Sequence, residues 1–254
     1  MHNVDHDQAT GLRRLFARET LQVLSVRGAD GSATVVTLDL ATALVALGHR
    51  PLVIDLEKGE AAHALGLTPR YELAHALRGD KALRAVLLTH RDGIAVLPAM
   101  RGLELAARSG SWQRAIGDLL RDAKQTFNIW LVNGAAPAFA ETEPPLLVIA
   151  PTREAITGAY AQIKGLARAH GQREFRIVVD RAASESVARS VFASIAETSR
   201  RFLSAQLDYC GYLPHEPRRT RPTGAHSLRA HAFAQLAEAV FAAMPAPAAH
   251  LAGH

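Results

Sequence analysis

The 254-residue sequence contains little of several features that would assign a protein class directly. Cys210 is its single cysteine, which excludes an internal disulfide, and its apolar neighbours favour a buried structural thiol over a nucleophile. No stretch approaches the roughly 18 apolar residues of a membrane-spanning helix, and the charged N-terminus is unlike a signal peptide. We therefore expect a cytoplasmic protein.

Charge and metal-ligand spacing do not indicate a particular ligand. The chain carries 29 Lys and Arg against 24 Asp and Glu, and this small positive excess does not favour nucleic-acid binding. Its 12 histidines form no pair at helical spacing with a third acidic ligand, and zinc, dithiol and serine-hydrolase motifs are absent. We expect neither direct nucleic-acid contact nor a metal centre.

Short apolar runs alternate with helical periodicity along most of the chain. Such runs are typical of parallel strands that are buried on both faces and bind ligands beyond their carboxyl ends. We predict a doubly wound, mostly parallel α/β sheet with helices on both faces in residues 20–244, preceded by a short helix in 1–19 and followed by a disordered Pro/Ala-rich tail in 245–254. The predicted strands are 22–26, 51–54, 94–97, 129–132, 146–150, 175–179 and 209–213; the predicted helices are 34–47, 71–77, 111–124, 156–170, 185–203 and 228–243.

Residues 23–34 combine an apolar strand, a glycine-containing loop and the start of a helix, which is the local order of a phosphate-binding loop. Such loops use glycine for close approach of the backbone and a lysine before the Ser or Thr. Here Ala33 stands at the lysine position, and Asp30 places a carboxylate where phosphate oxygens would lie. Because like charges repel in so small a space, the sequence predicts a loop that has lost its ATPase chemistry.

Over nearly its whole length the chain resembles the FlhG (FleN/YlxH) branch of the MinD/ParA-like P-loop ATPases. Residues 28–34 (GADGSAT) correspond to the family loop KGGVGKT, and residues 39–44 (DLATAL) to the helix motif NLAxAL. Residues 52–59 (LVIDLEKG) correspond to the strand pattern LLLDADLG, whose Asp acts on the attacking water. Further segments that match this branch are 66–73, 93–99 and 155–164. The resemblance implies the MinD-like P-loop NTPase fold.

The most discriminating match is residues 7–13 (DQATGLR), which correspond to the DQAxxLR segment of FlhG proteins. In that family the leading helix stimulates FlhF, a GTPase of the signal-recognition-particle type that places flagella. The resemblance therefore implies contact with an FlhF-type GTPase, with Gln8 near the GTPase site. The partner-binding residues that it implies are Asp7, Gln8, Ala9, Leu12 and Arg13.

The departures from the family pattern fall in the nucleotide site. Gly28 replaces the lysine that reaches across the dimer and Ala33 replaces the P-loop lysine, which removes the charges that stabilise a transferring phosphoryl group. Asn133 replaces the metal-linked Asp, and Asp180 replaces the base-contacting Asn. We expect no hydrolysis and no required cofactor, although the family binds ATP with Mg²⁺. The degenerate nucleotide-binding residues are Gly28, Asp30, Gly31, Ser32, Ala33, Thr34, Asp55, Asn133 and Asp180.

Three features allow two interpretations each. Asp55, with Glu57, is either a strand-end acidic pair that is solvated or caps the next helix, or a retained catalytic Asp; without a lysine the first is favoured. Thr34 is either a Mg²⁺ ligand or a helix N-cap, and the cap is favoured. The helix predicted at 228–243, with Arg229 on its polar face, either contacts membrane or docks on the sheet. Docking is favoured because that face offers few cations for anionic lipid.

The sequence thus predicts an FlhG-like regulator of flagellar number and placement that acts by protein contact. Flagellar C-ring proteins and a FleQ-type transcription activator are further partners that the resemblance implies. Recruitment to the cell pole or the inner membrane surface, and dimerisation, are left open. One alternative is a working ParA/MinD-type ATPase. Another is a cellulose-synthesis MinD-like accessory protein, which the segment at residues 7–13 disfavours.

Overall fold

The computed structural model describes residues 21–28, 31–102, 123, 126–134, 144–215 and 228–241. The predicted N-terminal helix and the predicted tail lie outside these residues, as does the predicted helix 111–124 apart from position 123. The segment predicted to bind a partner and Asp30 are therefore known from the sequence alone.

A sheet of eight strands forms the centre of the described part of the chain. Its strands are β1 (Gln22–Gly28), β2 (Pro51–Asp55), β3 (Leu88–Thr89), β4 (Ala95–Pro98), β5 (Ile129–Asn133), β6 (Leu146–Ile149), β7 (Glu174–Ala182) and β8 (Gln206–Pro214). They lie in the order β3-β4-β2-β5-β1-β6-β7-β8, and every neighbouring pair is parallel except β3 with β4. The predicted mostly parallel sheet is confirmed.

The helices follow the predicted pattern where they are long. Those bounded by described residues are α1 (Ser32–Ala46), α2 (Glu60–Ala64), α3 (Leu73–Leu77), α4 (Leu83–Val86), α5 (Arg153–His170), α6 (Glu185–Leu203) and α7 (Leu228–Phe241). The prediction missed β3, α2 and α4, because elements of two to five residues are too short to show a hydrophobic period.

Successive residues of the central strands face opposite sides of the sheet. Val53 of β2 belongs to the core cluster that includes α1 and α7, whereas its neighbours Leu52 and Ile54 belong to a cluster with α3 and α4. On the other half of the sheet, Ile177 and Val179 of β7 pack with α5 and α6. Helices therefore cover both faces, which is the doubly wound arrangement.

β1 lies at the point where the strand order reverses. The next four strands along the chain, β2 to β5, lie on one side of β1, and β6, β7 and β8 lie on the other. Doubly wound folds leave a crevice beyond the carboxyl end of such a strand. The start of α1 and the carboxyl ends of β2 and β5 border this crevice, and they position the candidate site.

α7 is docked on the body of the protein, which confirms the favoured interpretation of this helix. It contacts α1 and β8, and its buried residues belong to the same core cluster as α1. These residues are Phe233, Leu236, Ala237, Val240 and Phe241. Within the described ranges, no helix has the length and apolarity needed to cross a membrane.

Cys210 lies on β8 and packs against the edge of the same core cluster. It is half-buried rather than fully buried as predicted. Burial is the largest cause that raises the pKa of its thiol, and a protonated thiol is a poor nucleophile. The expected structural role therefore fits this position.

Candidate functional site

Three adjacent strands bring several of the predicted site residues together. Asp55 ends β2 and Asn133 ends β5, and the two residues are partners in the ladder between these strands. Asn133 is also paired with Val26 of β1, just before the phosphate-loop segment. Because the carboxyl ends of parallel strands meet at one edge, Asn133 reaches both Asp55 and Thr34 of α1. Asp180 lies near the carboxyl end of β7, on the other side of β1, and belongs to a separate cluster.

Hydrogen bonds join Thr34, Asn133, Asp55 and Glu60 in one network. The Thr34 hydroxyl donates to Glu60 Oε2 at 3.1 Å. The Asn133 amide donates to Thr34 Oγ1 at 3.1 Å and to Asp55 Oδ1 at 3.3 Å. On the other side of Asn133, its Oδ1 lies 3.5 Å from the hydroxyl of Thr37. The polar groups of this site therefore satisfy one another within the chain.

Asp55 is fully buried and acts as an acceptor for the backbone that follows β2. Its Oδ1 accepts from the Glu57 N–H at 3.0 Å, and its Oδ2 accepts from the Ala61 N–H at 3.0 Å in the first turn of α2. The sequence interpretation of Asp55 as a cap for the next helix fits this geometry, whereas its description as solvated is wrong. The carboxylate fixes the turn between β2 and α2.

Thr34 is not an N-cap, so the favoured interpretation of this residue is wrong. α1 begins at Ser32, and its N-cap is Gly31, which has the left-handed φ of 74° that glycine adopts without strain. Thr34 lies within the first turn of the helix and is buried. Its hydroxyl therefore does not cap the helix backbone and instead donates a hydrogen bond to Glu60.

Gly28 is packed closely against the start of α1. A Cβ at this position would lie 2.9 Å from Ser32 Oγ and 3.1 Å from the Ala33 backbone nitrogen. A side chain at this position requires the Ser32 hydroxyl to turn away and the start of α1 to move by a few tenths of an ångström. Gly28 and Gly31 therefore both suit the close approach of the backbone at the start of α1.

Three carboxylates converge on the site, those of Asp55, Glu57 and Glu60. Glu57 lies directly over Gly134 after β5, because a Cβ on Gly134 would be 2.7 Å from Glu57 Oε1. Burial raises the pKa of Glu57, and the charges of Glu60 and Asp55 raise it further, while Lys58 opposes them. The sequence interpretation missed Glu60, whose only local signal is an acidic residue in the first turn of a very short helix.

Replacing Glu57 by glutamine is expected to stabilise the protein near pH 8 by less than about 1 kcal/mol, because the half-exposed charge is partly screened. The raised pKa means that folding disfavours the ionised form. The stability of the parent is therefore unaffected below the ordinary glutamate pKa and falls as the pH rises through the raised value. Thermal unfolding between about pH 4 and pH 8 checks this: the two proteins should agree at low pH and separate at high pH.

The matched control for this prediction is Glu197→Gln, which makes the same change on the exposed surface of α6. It should not reproduce the divergence between low and high pH. Equal unfolding temperatures of Glu57→Gln and the parent across the whole range would contradict the raised pKa that burial and the neighbouring carboxylates give Glu57.

Asp180 is buried beside two guanidinium groups. Its Oδ1 lies 3.0 Å from Arg229 Nη1 and its Oδ2 lies 3.3 Å from Arg181 Nε. The sequence interpretation placed Arg229 on the polar face of its helix, and the structure shows that its side chain is only 17% exposed and pairs with Asp180. A buried aspartate needs an opposite charge beside it, which Arg229 and Arg181 supply.

Comparisons with known proteins agree with this architecture. The chain is 32% identical over 217 residues to the antiactivator FleN of Pseudomonas aeruginosa, a match that covers 81% of this chain and 78% of that protein. The MinD cell division protein of Aquifex aeolicus superposes with a TM-score of 0.66 at 22% identity, covering 87% of this chain and 97% of that chain.

A second solved structure is similar, the septum site-determining protein MinD of Pyrococcus horikoshii in complex with Mg-ADP. It gives a TM-score of 0.59 at 19% identity and covers 86% of this chain and 95% of that chain. No protein-family model matches the chain. At these identities the two MinD structures show the fold, whereas FleN is similar enough in sequence, over enough of its length, to show the family. The chain belongs to the FleN/FlhG family and has the fold of the MinD/ParA-like P-loop ATPases.

Proposed function

We propose that this chain is a FleN/FlhG-type regulator of flagellar number and placement that works by protein contact, without an ATPase cycle. The observation that carries the proposal is the hydrogen bond from the Thr34 hydroxyl to Glu60 at 3.1 Å. A P-loop threonine that holds Mg²⁺ must direct a lone pair at the ion, and here its oxygen also accepts from the Asn133 amide. The Thr34 hydroxyl therefore donates one hydrogen bond and accepts another within the chain.

The charges around the crevice support the same proposal. A nucleotide phosphate chain that approached the end of β1 would meet the carboxylates of Asp55, Glu57 and Glu60, which repel it. With Ala33 and Gly28 at the two lysine positions, the loop supplies no cation to stabilise a transferring phosphoryl group. Among the described residues, no group of His, Cys, Asp and Glu is arranged to hold a metal ion. The residues present therefore do not fit ATP with Mg²⁺.

The partner class follows from the family. The relative in Pseudomonas aeruginosa is named an antiactivator, so we propose a FleQ-type transcription activator as a partner that this chain restrains by direct contact. The segment at residues 7–13 adds an FlhF-type GTPase, and flagellar C-ring proteins are a further class. We propose that these contacts form in the cytoplasm and that any recruitment to the pole or inner membrane passes through the partners.

The test of this proposal measures binding to a purified FleQ-type activator and ATP turnover by the chain itself. Because a ligand shifts a binding equilibrium only if it prefers one state, the dissociation constant of the complex is expected to change less than about twofold when non-hydrolysable ATP and Mg²⁺ are added. ATP turnover should equal that of a heat-inactivated sample. A parallel titration of the activator alone with the same nucleotide separates any response of the activator from a response of this chain.

Two results would contradict the proposal in different ways. Turnover well above the heat-inactivated control would favour the alternative, a working ParA/MinD-type ATPase with an unusual loop. Binding to the activator that appears only with ATP and Mg²⁺ would show a nucleotide-dependent regulator that has lost hydrolysis alone.

A further inference from the structure

The guanidinium of Arg229 joins four elements of the fold at one point. Arg229 lies at the start of α7, and its Nη1 donates to the backbone oxygen of Pro214 at the end of β8, at 3.0 Å. The same nitrogen lies 3.0 Å from Asp180 Oδ1 near the carboxyl end of β7, as an ion pair without good hydrogen-bond geometry. Its Nε lies 3.5 Å from Asp39 Oδ2 of α1. One side chain therefore connects α7 to α1, β7 and β8.

The Arg229 guanidinium also lies over an aromatic ring of its own helix. Arg229 Cζ lies 5.2 Å from the centre of the Phe233 ring, one turn further along α7, and Phe233 is itself buried in the main core cluster. A cation held over an aromatic face gains about 0.5–2 kcal/mol, more as water is excluded. The ring fixes the direction of the side chain, so that its polar edges point at the strand ends.

Burial makes this contact important for the folded state. The Asp180 side chain is 4% exposed, and removing a charge from water costs several kcal/mol unless an opposite charge and hydrogen bonds replace the water. Arg181 supplies part of that compensation from a left-handed backbone conformation with a φ of 58°, which costs a non-glycine residue about 1 kcal/mol. Its side chain is 46% exposed, so Arg229 is the better shielded partner of Asp180.

We propose that Arg229 is an internal clamp at the carboxyl ends of the strands. Its guanidinium holds α7 against β7 and β8 without any nucleotide. The strand ends of a doubly wound sheet are where a bound ligand would normally contact the protein. Here a cation from the chain itself fills that place beside Asp180 and Pro214. This inference rests on the proposed function, because a regulator that acts without a nucleotide cycle needs an internal means of keeping α7 in one arrangement.

The test replaces Arg229 by alanine in the full chain and follows amide hydrogen exchange without nucleotide. We expect exchange in residues 228–241 to become at least about tenfold faster, while the amides of β1, β2 and β5 change little, because the clamp acts on α7 rather than on the whole sheet. The unfolding temperature should fall by about 5–10 °C. Arg229→Lys keeps the charge but loses the planar fork, and it should lie between the parent and the alanine variant.

The matched control is Arg200→Ala, which removes an exposed arginine from α6 and should leave exchange in α7 unchanged. Asp180→Asn combined with Arg229→Gln should cost less than the two single changes added together, since each single change leaves a buried group without its partner. Unchanged exchange in α7 of Arg229→Ala, or an equal loss of protection in every strand, would overturn the proposal. If Arg229→Ala does not fold, the same comparison is made with Arg229→Lys.

These measurements separate this inference from the proposed function. If ATP were found to bind while α7 of Arg229→Ala still loosened without nucleotide, the clamp would stand and the nucleotide-independent function would fail. If α7 did not loosen, the clamp would fail whatever the outcome with ATP.

Discussion

Replacing Asp55 by alanine is expected to lower the free energy of unfolding by about 3–5 kcal/mol, although no catalytic step is assigned to this residue. The carboxylate is fully buried and accepts hydrogen bonds from the Glu57 N–H, the Ala61 N–H and the Asn133 amide. Alanine leaves the two backbone donors without this acceptor in a buried site, and the Asn133 amide keeps only its hydrogen bond to Thr34. Urea unfolding followed by far-UV circular dichroism measures the loss.

Two further variants make this result specific. Asp55→Asn keeps the volume and one acceptor oxygen, so it should cost clearly less than alanine, about 1–2 kcal/mol. Asp80→Ala removes an exposed aspartate and should be nearly neutral. A loss below about 1 kcal/mol for Asp55→Ala would contradict the structural role and would favour the other interpretation, a retained catalytic aspartate.

The elements that the sequence predicted well are those with both a long pattern and a local boundary signal. The helix predicted at 185–203 agrees with α6 at both ends. Ser184 caps it by accepting from the Val187 N–H, and Ser204 ends it in the left-handed region. The strands were predicted from continuous apolar runs, because a strand buried on both faces needs no polar alternation.

The site was predicted in part, for a physical reason. The family pattern named Asp55, Asn133 and Asp180; the structure places the first two at the ends of β2 and β5, and Asp180 within β7 near its carboxyl end. The side chains that bind to this network and to Asp180 were not predicted. Glu60 and Arg229 reach their partners across the fold, and neither stands in a motif. The resemblance to FlhG proteins named the positions of a nucleotide site, whereas the contacts that now occupy those positions belong to this chain.

The interpretation of Thr34 shows the limit of local reasoning. A threonine after a glycine loop is a natural N-cap, but the left-handed conformation of Gly31 starts α1 at Ser32. Because the N-cap is Gly31 and not Thr34, the Thr34 hydroxyl lies in the buried network with Asn133 and Glu60.

Replacing Leu12 by aspartate is expected to weaken the contact with an FlhF-type GTPase at least about tenfold, because an apolar contact becomes a buried charge. Ala9 and Leu12 lie on one face of the helix that the sequence predicts, a pattern typical of an amphipathic helix laid into a partner groove. Titrating the GTPase with the full chain and following GTP turnover gives both the half-saturating concentration and the maximal rate. Leu12→Asp should raise the half-saturating concentration.

Gln8→Ala is expected to change the maximal rate of GTP turnover. A carboxamide beside bound GTP can orient the attacking water, so its loss should lower the maximal stimulated rate and leave the half-saturating concentration nearly unchanged. Thr10→Ala, at a variable position of the DQAxxLR pattern, is the matched control and should behave like the parent. Neither Gln8→Ala nor Leu12→Asp should change the unfolding temperature of the main domain. If both stimulated the GTPase as well as the parent, the segment would be a relic and an FlhF-type GTPase would not be its partner.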